Sequence, residues 1–160
     1  MKRFTLLCTL ALVCIALPAA LLAADNPVLG TWKLNLEKSK FPASMTPKGL
    51  TRTVTADGDN VKYAFEGQAA DGSAINYSFS LKYDGKDAEV AGTGAPMGVD
   101  HVAITRVNSH QFSASLKKGG KELAISTAVV SHDGKTSTVS TKGTGPDGKP
   151  FKSTSVYDKQ

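Results

Sequence analysis

The chain has 160 residues and a formal net charge of +5, and its 41% hydrophobic content averages two unlike parts, because 19 of the first 24 residues are apolar. The length excludes a multidomain enzyme or a large α/β barrel. After residue 24 no apolar run approaches the roughly 20 residues of a membrane helix.

The chain opens on Met1-Lys2-Arg3, continues in an apolar stretch from Phe4 to Leu22 broken by Pro18, and reaches Leu22-Ala23-Ala24. A basic start, an apolar middle and small residues are what a signal peptidase accepts, so cleavage after Ala24 is expected. Pro18 and the following Asp25-Asn26-Pro27 argue against a retained anchor. The mature chain is then one domain over residues 25–160, secreted or periplasmic, monomeric and not stably inserted in a membrane. Both cysteines, Cys8 and Cys14, leave with the signal, and with them any disulfide, thiol nucleophile or thiolate metal site. Losing Lys2 and Arg3 lowers the charge to +3, carried by lysines at turns without an aromatic-basic stripe, which speaks against nucleic acid.

Turn chemistry organises the rest. Five aspartates stand directly before glycine, at Asp57-Gly58, Asp71-Gly72, Asp84-Gly85, Asp133-Gly134 and Asp147-Gly148, and Gly119-Gly120 makes a sixth tight turn. Such pairs suit type I′ hairpins. The segments between them alternate with a period of two, as in Ile75, Tyr77, Phe79 and Leu81 against Asn76, Ser78, Ser80 and Lys82. In chain order this predicts strands over 28–37, 49–57, 60–68, 73–83, 87–92, 99–107, 110–118, 121–131, 135–143 and 150–158. A meander of about ten strands closes economically into a barrel, which removes its exposed edges. The expected fold is therefore all-β, a single antiparallel up-and-down barrel. Lys38 to Lys48, holding Pro42 and Pro47, is read as a lid or flap over one end.

Two short segments carry a resemblance. Gly30-Thr31-Trp32-Lys33-Leu34 resembles the Gly-x-Trp signature of lipocalins and the Gly-Thr-Trp-Lys opening of intracellular fatty-acid-binding proteins, and Val156-Tyr157-Asp158-Lys159 is similar to the close of the last strand in the latter group. The chain thus resembles bacterial lipocalin-like domains of the calycin group, and the resemblance implies a barrel that binds a small apolar or amphipathic molecule. The fatty-acid-binding group clasps a carboxylate with an Arg-x-Tyr pair on its last strand. Here Tyr157 matches, but Ser155 stands where the arginine belongs. Lys38 to Lys48 is also too short for that group's two capping helices.

Strand phase identifies the candidate site. Tyr77 and Phe79 share the apolar phase of their strand, and Arg52 and Arg106, the two arginines after residue 24, each fall in phase with apolar neighbours. Alternate strands share a barrel end, which would bring Trp32, Arg106 and Tyr157 together, as a structural plug or as part of a ligand site. Arg52 is placed near the other end, at the mouth, where it would either meet an anionic head group or snorkel to solvent. Ser137, Thr141, Ser153 and Ser155 would put hydroxyls on the inner wall, which requires polar partners; the alternative is two wet-faced strands.

His101, His110 and His132 lack metal-ligand spacing, and no serine has the Gly-x-Ser-x-Gly setting, so no catalytic residue, metal or cofactor is expected. The ligand-binding candidates are Arg52, Tyr77, Phe79, Arg106, Ser153, Ser155 and Tyr157. The function read from the sequence is non-enzymatic binding of a small apolar or amphipathic molecule. A packed envelope module and a small barrel isomerase or cyclase are the alternatives.

Overall fold

The computed structural model describes residues 26–160. The expected signal segment and its cleavage point lie outside them. Eleven antiparallel strands form one sheet: β1 (Gly30–Leu34), β2 (Gly49–Asp57), β3 (Asn60–Gln68), β4 (Ala74–Leu81), β5 (Ala88–Glu89), β6 (Ala91–Thr93), β7 (His101–Arg106), β8 (Gln111–Lys118), β9 (Lys121–Val130), β10 (Thr136–Thr144) and β11 (Pro150–Lys159). Their order is β5-β7-β8-β9-β10-β11-β1-β2-β3-β4-β6. The chain is therefore an up-and-down meander whose two ends meet, with β1 pairing both β2 and β11.

The segment expected as one strand over 87–92 is two short ones. β5 pairs with β7 and β6 pairs with β4, so residues 88–93 cross from one edge of the sheet to the other and close the ring. A Cβ on Gly92 would lie 2.2 Å from the Asn76 carbonyl oxygen, so only glycine lets the backbone approach β4 here.

Four of the five Asp-Gly pairs make hairpins where expected, but not as type I′ turns, while Asp84-Gly85 lies in a loop that bridges to β7, because β4 and β5 do not pair with each other. Among the described residues Met97 is the one non-glycine with positive φ, so none of the five aspartates adopts the left-handed region. Asp71, Asp84, Asp133 and Asp147 instead accept a hydrogen bond from the amide two residues on. In the turn at 131–134 the Gly134 amide donates to the Ser131 carbonyl at 2.9 Å, and Gly134 alone takes positive φ. That is a type I turn followed by a left-handed glycine. The aspartate side chain thus substitutes for a backbone acceptor. Of the six expected tight turns, Gly119-Gly120 alone has positive φ at both central residues, as a type I′ turn requires.

One barrel end is shut. Val28 and Trp32 are buried there, and Trp32 Nε1 donates to the Val28 carbonyl at 2.8 Å. Gly30 has φ +124°, and a Cβ on it would lie 2.7 Å from Lys159 Cε. The missing side chain lets Lys159 lie across the indole, its Nζ 5.1 Å from the ring centroid. This is the local reason for glycine two residues before the tryptophan. Tyr63 and Tyr83 join their hydroxyls at 2.8 Å.

The segment 35–48 folds over the other end. Lys40 exchanges backbone hydrogen bonds with Thr154, both 2.7 Å, and a single 3-10 turn spans Ala43–Met45. The flap expected from the two prolines is thus anchored to β11.

Candidate functional site

Alternation along the strands leaves a cavity of about 490 Å³ inside the barrel. This is within the range of small-molecule sites. The packed-interior alternative does not describe this barrel. Phe41, Met45 and Pro47 from the flap line the cavity, with the exposed Ser44, Ser73, Pro96 and Pro146 around its edge, so it reaches the surface at the flap end.

Two walls of different chemistry face each other. In a ring closed by β5 and β6, strands β3 and β4 stand opposite β9 and β10. β3 and β4 contribute four rings: Phe65 stacks on Tyr77 with centroids 4.6 Å apart, and Tyr63 stacks on Phe79 at 5.1 Å. β9, β10 and β11 contribute hydroxyls. Ser126, Thr141 and Ser153 lie in one row of the register, with Ser126 Oγ and Thr141 Oγ1 hydrogen-bonded at 2.8 Å. Ser155 and Ser137 occupy the next two rows on the same face, where Ser137 sits beside Tyr157.

Arg52 is the charged group of the site. It is 6% exposed, lies beside Trp32 in the β1–β2 register and lines the cavity, which Trp32 does not. Its guanidinium carbon is 4.5 Å from the Tyr157 ring centroid and 5.3 Å from that of Trp32. Arg52 Nε and Nη2 are buried with no hydrogen-bond partner among the described residues, as is Ser137 Oγ. Burial draws the guanidinium below its ordinary pKa, partly offset by the surrounding tyrosines. Burial also pushes the Tyr157 phenol up, against the pull of Arg52, so the nearest phenol stays neutral. An arginine nonetheless keeps its charge in proteins. The cavity wall thus carries a cation for whose Nε and Nη2 the described residues supply neither a hydrogen-bond partner nor a carboxylate.

The structure places both arginines toward the Trp32 end and reverses the roles expected for them. Arg106 does lie at the same end as Trp32, as strand parity requires, but it is exposed and does not line the cavity. Its guanidinium carbon is 5.3 Å from the Phe112 ring centroid and 5.6 Å from that of Tyr83. Four strands, β8 to β11, separate β7 from β1 in the sheet. Parity fixes the end of the barrel, whereas the lateral register decides which side chains touch. That register puts Arg52, not Arg106, on Trp32, and takes Arg52 away from the mouth.

The other sequence candidates, Tyr77, Phe79, Ser153, Ser155 and Tyr157, line the cavity with Arg52. Sequence reasoning missed Tyr63, Phe65 and Ser126. The phase Val61, Tyr63, Phe65 against Lys62, Ala64, Glu66 marks the first two, and the phase Ala124, Ser126, Ala128, Val130 marks the third.

Comparison with solved structures finds the zebrafish ileal bile acid-binding protein complexed with cholic acid, with a TM-score of 0.53 at 11% identity, over 84% of this chain and 99% of that one. The chain has the calycin fold. Lobster apocrustacyanin A1 is similar at a TM-score of 0.46 and 14% identity, over 89% of this chain and 66% of that chain. A designed fluorescence-activating β-barrel follows at 0.42 and 12% identity, over 86% of this chain and 97% of that one. No family model and no curated protein matches the sequence. At these identities the likeness concerns the barrel; what this calycin barrel holds is argued from its own lining.

Proposed function

We propose that this protein is an exported, non-enzymatic calycin that holds one small amphipathic acid inside its barrel, the acid group meeting Arg52 and the apolar body lying along the cavity. The observation that carries this reading is a buried cation on the wall of a cavity of about 490 Å³, Arg52, whose Nε and Nη2 have no partner among the described residues. Burying an ion without a counter-charge costs several kcal/mol, and a chain retains such a group at the expense of stability where function uses it. A carboxylate accepting two parallel N–H bonds matches the geometry of a guanidinium. The bile acid-binding neighbour, a complex with cholic acid, supports the class of ligand by analogy. Export is supported by the apolar, basic-headed segment of residues 1–24.

The test is displacement of a fluorescent apolar probe from the delipidated protein by palmitate and by hexadecanol. One probe is expected per chain, with palmitate the stronger competitor. Arg52→Met should weaken palmitate by about tenfold or more, the value of one charged hydrogen bond, and leave hexadecanol nearly unchanged. Equal loss for acid and alcohol would remove Arg52 from the site. Failure of the probe and both competitors to bind would end the reading.

A further inference from the structure

The two cavity walls differ more than a simple chain-like acid requires. A fatty acyl chain has no oxygen along its length, and it would leave the hydroxyls of β9, β10 and β11 facing hydrocarbon. A buried hydroxyl without a partner costs about 1–3 kcal/mol, and Ser137 Oγ is in that position, on a residue only 1% exposed. Ser126, 8% exposed, is satisfied by Thr141, and this pair keeps unused capacity, since two hydroxyls hold two protons and four lone pairs but share one bond. Directly across the barrel the aromatic quartet of Tyr63, Phe65, Tyr77 and Phe79 offers flat ring faces. Ring faces favour stacking on a broad rigid surface.

We propose that the cavity selects a rigid fused-ring acid whose hydroxyl groups lie on one face, seated with its bare face on the β3–β4 rings and its hydroxylated face on Ser126 and Thr141. The proposal deepens the anionic-ligand reading and rests on it. Ser126 and Thr141 then act as specificity residues, while Arg52 supplies affinity for the acid group. No covalent step is involved.

The experiment compares cholate, whose ring hydroxyls share one face, with lithocholate, which retains one of them, and with palmitate, by probe displacement from the delipidated full chain. The proteins are wild type and Ser126→Ala/Thr141→Val. That double change removes both partners of one hydrogen bond while nearly keeping shape, a replacement that is close to neutral for stability. The ratio of cholate to lithocholate affinity is expected to fall about tenfold in the variant, as loss of one or two net hydrogen bonds predicts, with palmitate unchanged. Ser126→Ala alone repeats the test if the double variant does not fold. An unchanged ratio, with all three acids still binding and still sensitive to Arg52→Met, overturns the facial selectivity and leaves the anionic-ligand reading standing. Failure of every acid to bind the wild type overturns both.

Discussion

Replacing Arg52 by methionine should make the ligand-free protein more stable, not less. The guanidinium stacks on Tyr157 and Trp32, and two such contacts contribute about 1–2 kcal/mol each in a desolvated setting. Against them stand the desolvation of a buried cation, several kcal/mol after relaxation, and two buried N–H groups without acceptors, at about 1–3 kcal/mol each. Methionine keeps most of the apolar contact and adapts its shape to the space. The balance favours the variant by roughly 2 kcal/mol, which for a domain of this size raises Tm by about 8 °C. Calorimetry or chemical denaturation measures it. The protein must first be delipidated, because a retained ligand stabilises the wild type by mass action. If Arg52→Met instead lowers Tm by the margin expected for a truncated core residue, the arginine is part of the structural plug and the reasoning about an uncompensated charge is wrong.

Trp32→Ala should destabilise by about 3–5 kcal/mol, the usual cost of emptying a buried indole site, since Trp32 is fully buried and its Nε1 holds the Val28 carbonyl; an unchanged denaturation midpoint would contradict its role. Gly30→Ala should cost about 1–3 kcal/mol, because φ is +124° and the new methyl group meets Lys159; equal stability would show that Lys159 moves aside freely. Burial raises the pKa of Tyr63, Tyr77 and Tyr157 above the ordinary value of 10.0. The folded chain therefore holds protons that the unfolded chain releases near pH 10, so these groups contribute their full stability below about pH 10 and lose it above. The absorbance of these three tyrosinates should rise together with unfolding; free titration of Tyr63, Tyr77 and Tyr157 near pH 10 without unfolding would refute their burial. Intact-mass measurement of the exported protein should give a chain beginning at or near Asp25, and a mass that retains Cys8 and Cys14 would refute cleavage.

The hairpins were legible because each depends on a few adjacent residues. Asp-Gly pairs and period-two alternation located β2, β3, β4 and β8 within two residues of their bounds, and Gly30-x-Trp32 marked the closed end. The turn type was misread, since Asp133 and its counterparts act through their carboxylates rather than through positive φ. The break at Val90 was not legible either. Its cause is the closure of the ring, which requires residues 88–93 to serve two different neighbours. For the site, phase alone turned Arg52, Tyr77, Phe79, Ser153, Ser155 and Tyr157 toward the interior. Which arginine stacks on Trp32 depends on the register between β1 and β2, and that register is set across the irregular segment 35–48, whose path follows from its pairing with Thr154.

The closure of the ring has a consequence for how the cavity comes to exist at all. β1 to β4 form one run of neighbouring hairpins and β7 to β11 another, and they join through the β1–β11 pairing, extended by the Lys40–Thr154 bridge, and on the other side through the narrow crossing at residues 88–93 and the Asp84–Thr105 bridge. The rings that line one side belong wholly to the first run, and the hydroxyls opposite them belong wholly to the second. Neither half contains a binding site by itself. An occupant that touches both sides acts as a rivet across the two joins, and its binding free energy resists the parting of the halves more than the fraying of any single hairpin. Bound protein should then protect the amides of residues 88–93 from hydrogen exchange well beyond those in the turns.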